Sequence, residues 1–172
     1  MTKDFQRTEP RDLKRILADH FRHPFKARRN RGTASHWIDV SWTDGPTGKE
    51  VRSFLLTFND SGRDDIMTDL WCGGQYTSDS RHYSPEAFYW AVAEVERQFG
   101  IKIKVTDEIS HWTGTRSLYI KPEDEIKLED FGLPCPDYYA GEQVNRRLWD
   151  TDFRRINLPP APPLYGAREA EA

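Results

Sequence analysis

The run Ser41-Trp42-Thr43-Asp44-Gly45-Pro46-Thr47 admits few backbone paths and constrains the fold of this chain more than any other stretch. Before it, residues 37–42 alternate. Ile38, Val40 and Trp42 share one face of an extended strand, while Trp37, Asp39 and Ser41 share the other. Thr43-Asp44-Gly45-Pro46 must turn, since Gly45 is free to take positive φ and Pro46 fixes the exit. Thr47-Gly48-Lys49-Glu50 then has capping-box spacing, in which the hydroxyl accepts the Glu50 amide and the carboxylate accepts the Thr47 amide. Val51, Phe54, Leu55 and Phe58 recur at helical spacing behind it. Residues 37–58 therefore read as strand, turn and capped helix, with a tryptophan on the polar strand face as the one exception to the pattern.

The remaining elements are read the same way. Thr8 is placed to cap a first helix with Pro10 in its opening turn, and Leu13, Ile16, Leu17 and Phe21 form its apolar stripe. His23-Pro24 stops it. Residues 25–29 read as a short strand, followed by a turn at Asn30-Arg31-Gly32. Residues 63–83 are polar and weakly patterned, with a short strand at 67–72. Ser84-Pro85 opens a third helix through Phe88, Ala91, Val92, Val95 and Phe99, and Gly100 closes it. Residues 101–105 alternate as a strand that pairs with 115–120 as a hairpin. A last helix lies within 137–152, through Val144 and Leu148. The expected fold class is α+β, a mostly antiparallel sheet with two to three helices packed on one face.

Composition decides whether such a chain folds at all. Its 31% charged residues would suit a disordered segment, but 13% aromatic residues supply the buried area that disorder lacks. No apolar run approaches the ~18 residues that cross a bilayer, and the first residues have no secretory-signal character. The expected setting is the cytoplasm. Cys72 and Cys135 are then free thiols by default, although the spacing leaves a disulfide between them open. The net charge of −3 conceals an asymmetry. Residues 1–36 hold ten Lys and Arg against four acids, a local +6 that leaves −9 on the rest. Such polarity suits contact with nucleic acid or an acidic partner, and equally suits attraction between two lobes of one monomer.

The residues at 13–21, Phe25-Lys26-Ala27-Arg28, Ile38-Asp39-Val40-Ser41-Trp42-Thr43-Asp44-Gly45-Pro46-Thr47, Val51 and Met67-Thr68-Asp69 resemble, in order, large polyvalent protein-associated domain twenty-nine. The similarity spans residues 8–105. It departs where a Phe-Pro-Gly usually precedes the first strand and this chain has Arg22-His23-Pro24. The resemblance implies a domain that occurs in very large proteins of phages and conjugative elements, thought to travel with the DNA and blunt host defences. It supplies no catalytic residues. A small chain of this kind implies a counter-defence accessory protein, in the manner of an anti-CRISPR. On this reading residues 1–120 are the family-like domain, 121–156 an acidic extension, and 157–172 a disordered Pro/Ala-rich tail.

Direct chemistry is sparse. A metal nuclease needs converging carboxylates, for which Asp39 on the strand and Asp44 beyond its end are the alternative catalytic pair. Asp44 before Gly-Pro also has an ordinary role in turn formation. His20, His23, His36, His82 and His111 lack metal-ligand spacing, so no metal and no cofactor are expected. Ser41 and Ser84 lack a nucleophile-elbow context, and Gly73-Gly74 precedes no P-loop lysine. The positive feature is basic. Lys26, Arg28, Arg29, Arg31 and His36 flank a turn beside Trp37, and basic groups next to an exposed ring suit phosphate contact with base stacking. The expected partner is nucleic acid or a nucleic-acid-targeting defence complex. The acidic residues after 120 offer a protein–protein inhibitor as a further alternative.

Overall fold

Why a strand, a capped helix and a polar segment form one sheet is visible in the computed structural model, which describes residues 8–32, 37–59, 75–109, 116–128 and 139–163. The chain divides into two compact units, Met1–His82 and Tyr83–Ala172, each with its own hydrophobic cluster.

The first unit opens with α1, Pro10–Phe21, which buries Leu13, Leu17 and Phe21. Its N-cap is Glu9, one residue beyond the expected Thr8, because proline favours the first helical position. Three strands follow: β1 (Lys26–Arg29), β2 (Trp37–Thr43) and β3 (Tyr76–His82), in the order β1-β2-β3. The first pairing is antiparallel and the second parallel. A parallel return needs a crossover, and α2 (Gly48–Leu55) lies on it. The Thr47/Glu50 capping box forms as expected, with the hydroxyl accepting the Glu50 N–H at 3.2 Å and the carboxylate accepting the Thr47 N–H at 2.9 Å. Ile38, Val40 and Trp42 join Leu13, Leu17, Phe21, Val51 and Leu55 in one buried cluster, so α1 and α2 cover one face of the sheet.

Strand β3 escapes a reading by periodicity because its covered face is polar. Thr77, Asp79 and Arg81 stand opposite Ile38, Val40 and Trp42. They bond rather than bury apolar surface: Thr77 Oγ1 donates to the Leu55 carbonyl, Arg52 of α2 clamps Asp79 through Nε at 3.0 Å, and Arg81 reaches the turn after β2. The strand expected at 67–72 lies outside the described residues.

That turn explains the sequence run on which the fold depends. Asp44 and Gly45 both take positive φ, 55° and 61°. The carbonyls of Thr43, Asp44, Gly45 and Pro46 each accept a side-chain hydrogen bond: from His23 Nε2 at 2.9 Å, from Arg81 at 3.0 Å twice, and from Trp42 Nε1 at 3.1 Å. A methyl group at Gly45 would lie 2.5 Å from the His23 ring. The run is a structural latch.

The second unit contains α3 (Pro85–Phe99), β4 (Thr106–Ile109), β5 (Arg116–Tyr119) and α4 (Ala140–Asp150). Ser84 caps α3 by accepting the Ala87 N–H at 3.1 Å, and Gly100 ends it at φ 64°. The β4–β5 pair is antiparallel. Residues 101–105, expected as strand, lie outside the ladder: Ile103 is buried and gives its N–H to the Glu96 carboxylate at 2.8 Å. The alternation there marks burial, not pairing. Helix α4 supplies Ala140, Val144 and Leu148 to the cluster built on Ala87, Ala91, Val92 and Val95 of α3. The structure also differs at 157–163, read from sequence as tail. Leu158 packs on this cluster, and the Pro162 carbonyl accepts from Arg116 at 2.8 Å.

The class is therefore α+β, with antiparallel pairings outnumbering parallel ones, divided between two sheets rather than gathered in one. Among the described residues no helix is long and apolar enough to cross a membrane.

Candidate nucleic-acid interface

Residues paired across a ladder point to the same face, so the register sorts the basic group. Arg28 stands opposite Asp39, and Lys26 opposite Ser41. Asp39 and Ser41 stand in turn opposite Ser78 and Ser80 of β3. These side chains share the sheet face turned away from α1 and α2. Trp37, opposite Tyr76, heads the same face. Its ring stacks on Tyr76 with centroids 5.3 Å apart and planes inclined by 27°, and Trp37 remains 38% exposed. Tyr76 carried no sequence signal of this role, since parallel pairing of residues 37 and 76 is not a local pattern.

Lys26, Arg28 and Arg31 are exposed and form no ion pair among the described residues. Arg29 is different. It stands opposite Ile38 on the helix-covered side, donates to the Thr8 carbonyl at 3.5 Å and pairs with Glu9 at 3.3 Å. It tethers β1 to the start of α1. The structure thus joins Lys26 and Arg28 to Trp37 on one face, puts Arg31 in the adjoining turn, and separates Arg29 from them. His36 lies outside the described residues.

Asp39 holds the middle of this face. Its Oδ1 accepts from Asn30 Nδ2, just beyond β1, at 3.1 Å and from Ser78 Oγ of β3. Asp44 lies beyond Thr43, in the latch, where its N–H donates to the His82 carbonyl at 2.8 Å. Four extended steps separate Asp39 from Thr43, about 13 Å of strand. A single ion held at ~2.0–2.6 Å from each ligand does not bridge that span. Among the described residues, no three of His, Cys, Asp and Glu gather as a metal site.

His20 and His23 have local roles. His20 stacks on Phe54 at 4.2 Å, and His23 serves the latch. Among the acids after residue 120, Asp124 pairs with Lys104 at 2.9 Å and Glu125 accepts the Gly141 N–H at 3.1 Å, at the start of α4. Glu129, Asp130, Cys72, Cys135 and His111 lie outside the described residues.

In the second unit, Arg116 grips Asp107 with Nε at 2.8 Å, and Tyr89 donates to the same carboxylate at 2.8 Å. The hydrogen bond from Arg116 holds the Asp107 carboxyl below its ordinary range. Burial, then the bond to Asp107, raises the Tyr89 phenol.

The first unit is thus a small sheet with one helix-covered face and one face of basic, polar and aromatic side chains. The chain belongs to the family of large polyvalent protein associated domain 29, whose model matches residues 11–110, a family associated with phages and mobile elements. No curated protein and no solved structure matches the chain.

Proposed function

We propose that the protein is a non-catalytic binding module of a phage or mobile element that acts in counter-defence within the bacterial cytoplasm, in the manner of an anti-CRISPR. It contacts nucleic acid, or a defence complex already carrying nucleic acid, through the basic hairpin of β1 and β2. One observation carries this reading: Lys26, Arg28 and Arg31 are exposed and without ion partners among the described residues, next to an exposed Trp37. Clustered cations of this kind gain affinity from phosphates by releasing counterions.

The test is binding of labelled DNA and RNA across a salt series, comparing wild type with K26E/R28E/R31E. The reading expects affinity to fall steeply with salt and to drop at least about tenfold in the triple variant. Affinity indifferent to both would reject it. Cleavage of the probe that requires Mg²⁺, lost in Asp39→Asn or Asp44→Asn, would favour a divalent-metal nuclease instead.

A further inference from the structure

We infer that the ligand of the β1–β2–β3 face is a single-stranded nucleic acid whose bases stack on the Trp37–Tyr76 pair while its phosphates lie along Arg28 and Lys26; this rests on the proposed basic-face reading. The register lays the face out in rows. Trp37 and Tyr76 head it, Arg28, Asp39 and Ser78 form the next row, and Lys26, Ser41 and Ser80 the one after. Cations line the β1 edge and the aromatic pair holds one end.

Three features favour a single strand over a duplex. First, the Trp37 ring is 38% exposed and held against Tyr76, which makes the pair a fixed aromatic platform at the surface. Bases in a duplex are already stacked on one another and offer no face to such a ring. Second, among the described residues α1 and α2 cover the opposite side, and this face presents strands rather than a helix. Third, the groups between the rings and the cations are short and polar. Ser78 and Asn30 are held by Asp39, while Ser41 and Ser80 stand beside them, which suits hydrogen bonding to base edges or sugars. The negative charge of Asp39 opposes phosphate but sits one strand inward from the cationic edge. Sugar identity, ribose or deoxyribose, is set by contacts beyond this shared chemistry, so both are tested.

The experiment measures fluorescence anisotropy with labelled oligothymidine and oligouridine of about 12 nucleotides, within the usual site size of single-strand modules. A mixed-sequence DNA duplex of the same length serves for comparison. The proteins are wild type, Trp37→Ala, Tyr76→Ala, Trp37→Phe, Tyr76→Phe and Arg28→Glu, each checked for folding by circular dichroism. One or both single strands should bind at least about tenfold more tightly than the duplex, and the alanine variants should lose about tenfold on the single strand only. The phenylalanine variants, which keep a stacking ring, should stay within about threefold, separating stacking from damage to the fold. Duplex binding equal to or tighter than single-strand binding, still lost in Arg28→Glu, overturns the inference and leaves the basic-face reading standing. Unchanged single-strand affinity in folded Trp37→Ala and Tyr76→Ala also overturns it. Binding of no probe overturns the inference and removes direct nucleic-acid contact from the parent reading.

Discussion

Arg28 and Arg29 are neighbours in sequence and leave β1 on opposite faces, Arg28 opposite Asp39 and Arg29 opposite Ile38. The first is exposed, and the second bonds to Thr8 and Glu9. Their charge reversals should therefore separate two properties. Arg28→Glu is expected to weaken nucleic-acid binding several-fold at an unchanged melting temperature. Arg29→Glu places like charges together and removes the Thr8 bond, costing about 1 kcal/mol of stability, a modest figure because Glu9 is largely exposed. Paired thermal melts and binding curves check both.

The latch gives Arg81 a buried structural role in the first unit. It is buried, and it bonds the Asp44 and Gly45 carbonyls. Arg81→Ala leaves two acceptors without their donor and is expected to cost about 2–5 kcal/mol. Arg81→Lys should fall between, since an ammonium lacks the fork that spans both oxygens. Gly45→Ala should also destabilise, by about 1–2 kcal/mol from its positive φ before the His23 ring is displaced. Urea unfolding ranks the three.

Asp39 tests the choice between binding and cleavage. If the face binds phosphate, Asp39→Asn removes an opposing charge while keeping an oxygen acceptor, and affinity should rise about two- to threefold at low salt. The gain should vanish near 1 M salt, where screening is short-ranged. Anisotropy at both salt concentrations reads it, and a fall in affinity would argue that the carboxylate itself is needed.

The second unit carries a pH dependence at Asp107. Its folded pKa is lowered, chiefly by the Arg116 hydrogen bond, so the unfolded state takes up protons first as pH falls. The associated stability is present above the unfolded value near ~4 and is lost as pH drops through the lower folded one. Asp107→Asn should be less stable than wild type at neutral pH and should lose less on acidification between about pH 5 and 2. Denaturant midpoints across that range give the comparison.

Much of this architecture was legible because it is local. The Thr47/Glu50 box and the Val51/Leu55 stripe lie within a few residues of one another, as do Ser84 and the apolar face of α3. Strand β3 was not, because Thr77, Asp79 and Arg81 face the helices with hydrogen-bonding groups instead of hydrocarbons. At the candidate interface, alternation put Trp37 and Asp39 on one face correctly. The four residues Lys-Ala-Arg-Arg offered only Ala27 to mark an inner side, so Arg29 read as part of the basic surface. Tyr76 depends on a crossover spanning 37 to 76, which short periodicity does not encode.

The family likeness ends at residue 110, immediately after β4, whereas the ladder partner β5 and the helix that roofs α3 come later. A cut at that point strips Leu128, Ala140, Val144, Leu148 and Phe153 from the apolar side of α3. The boundary of likeness is thus not a boundary of self-sufficiency. Grafting this module elsewhere therefore requires taking the segment through Leu158 along with it.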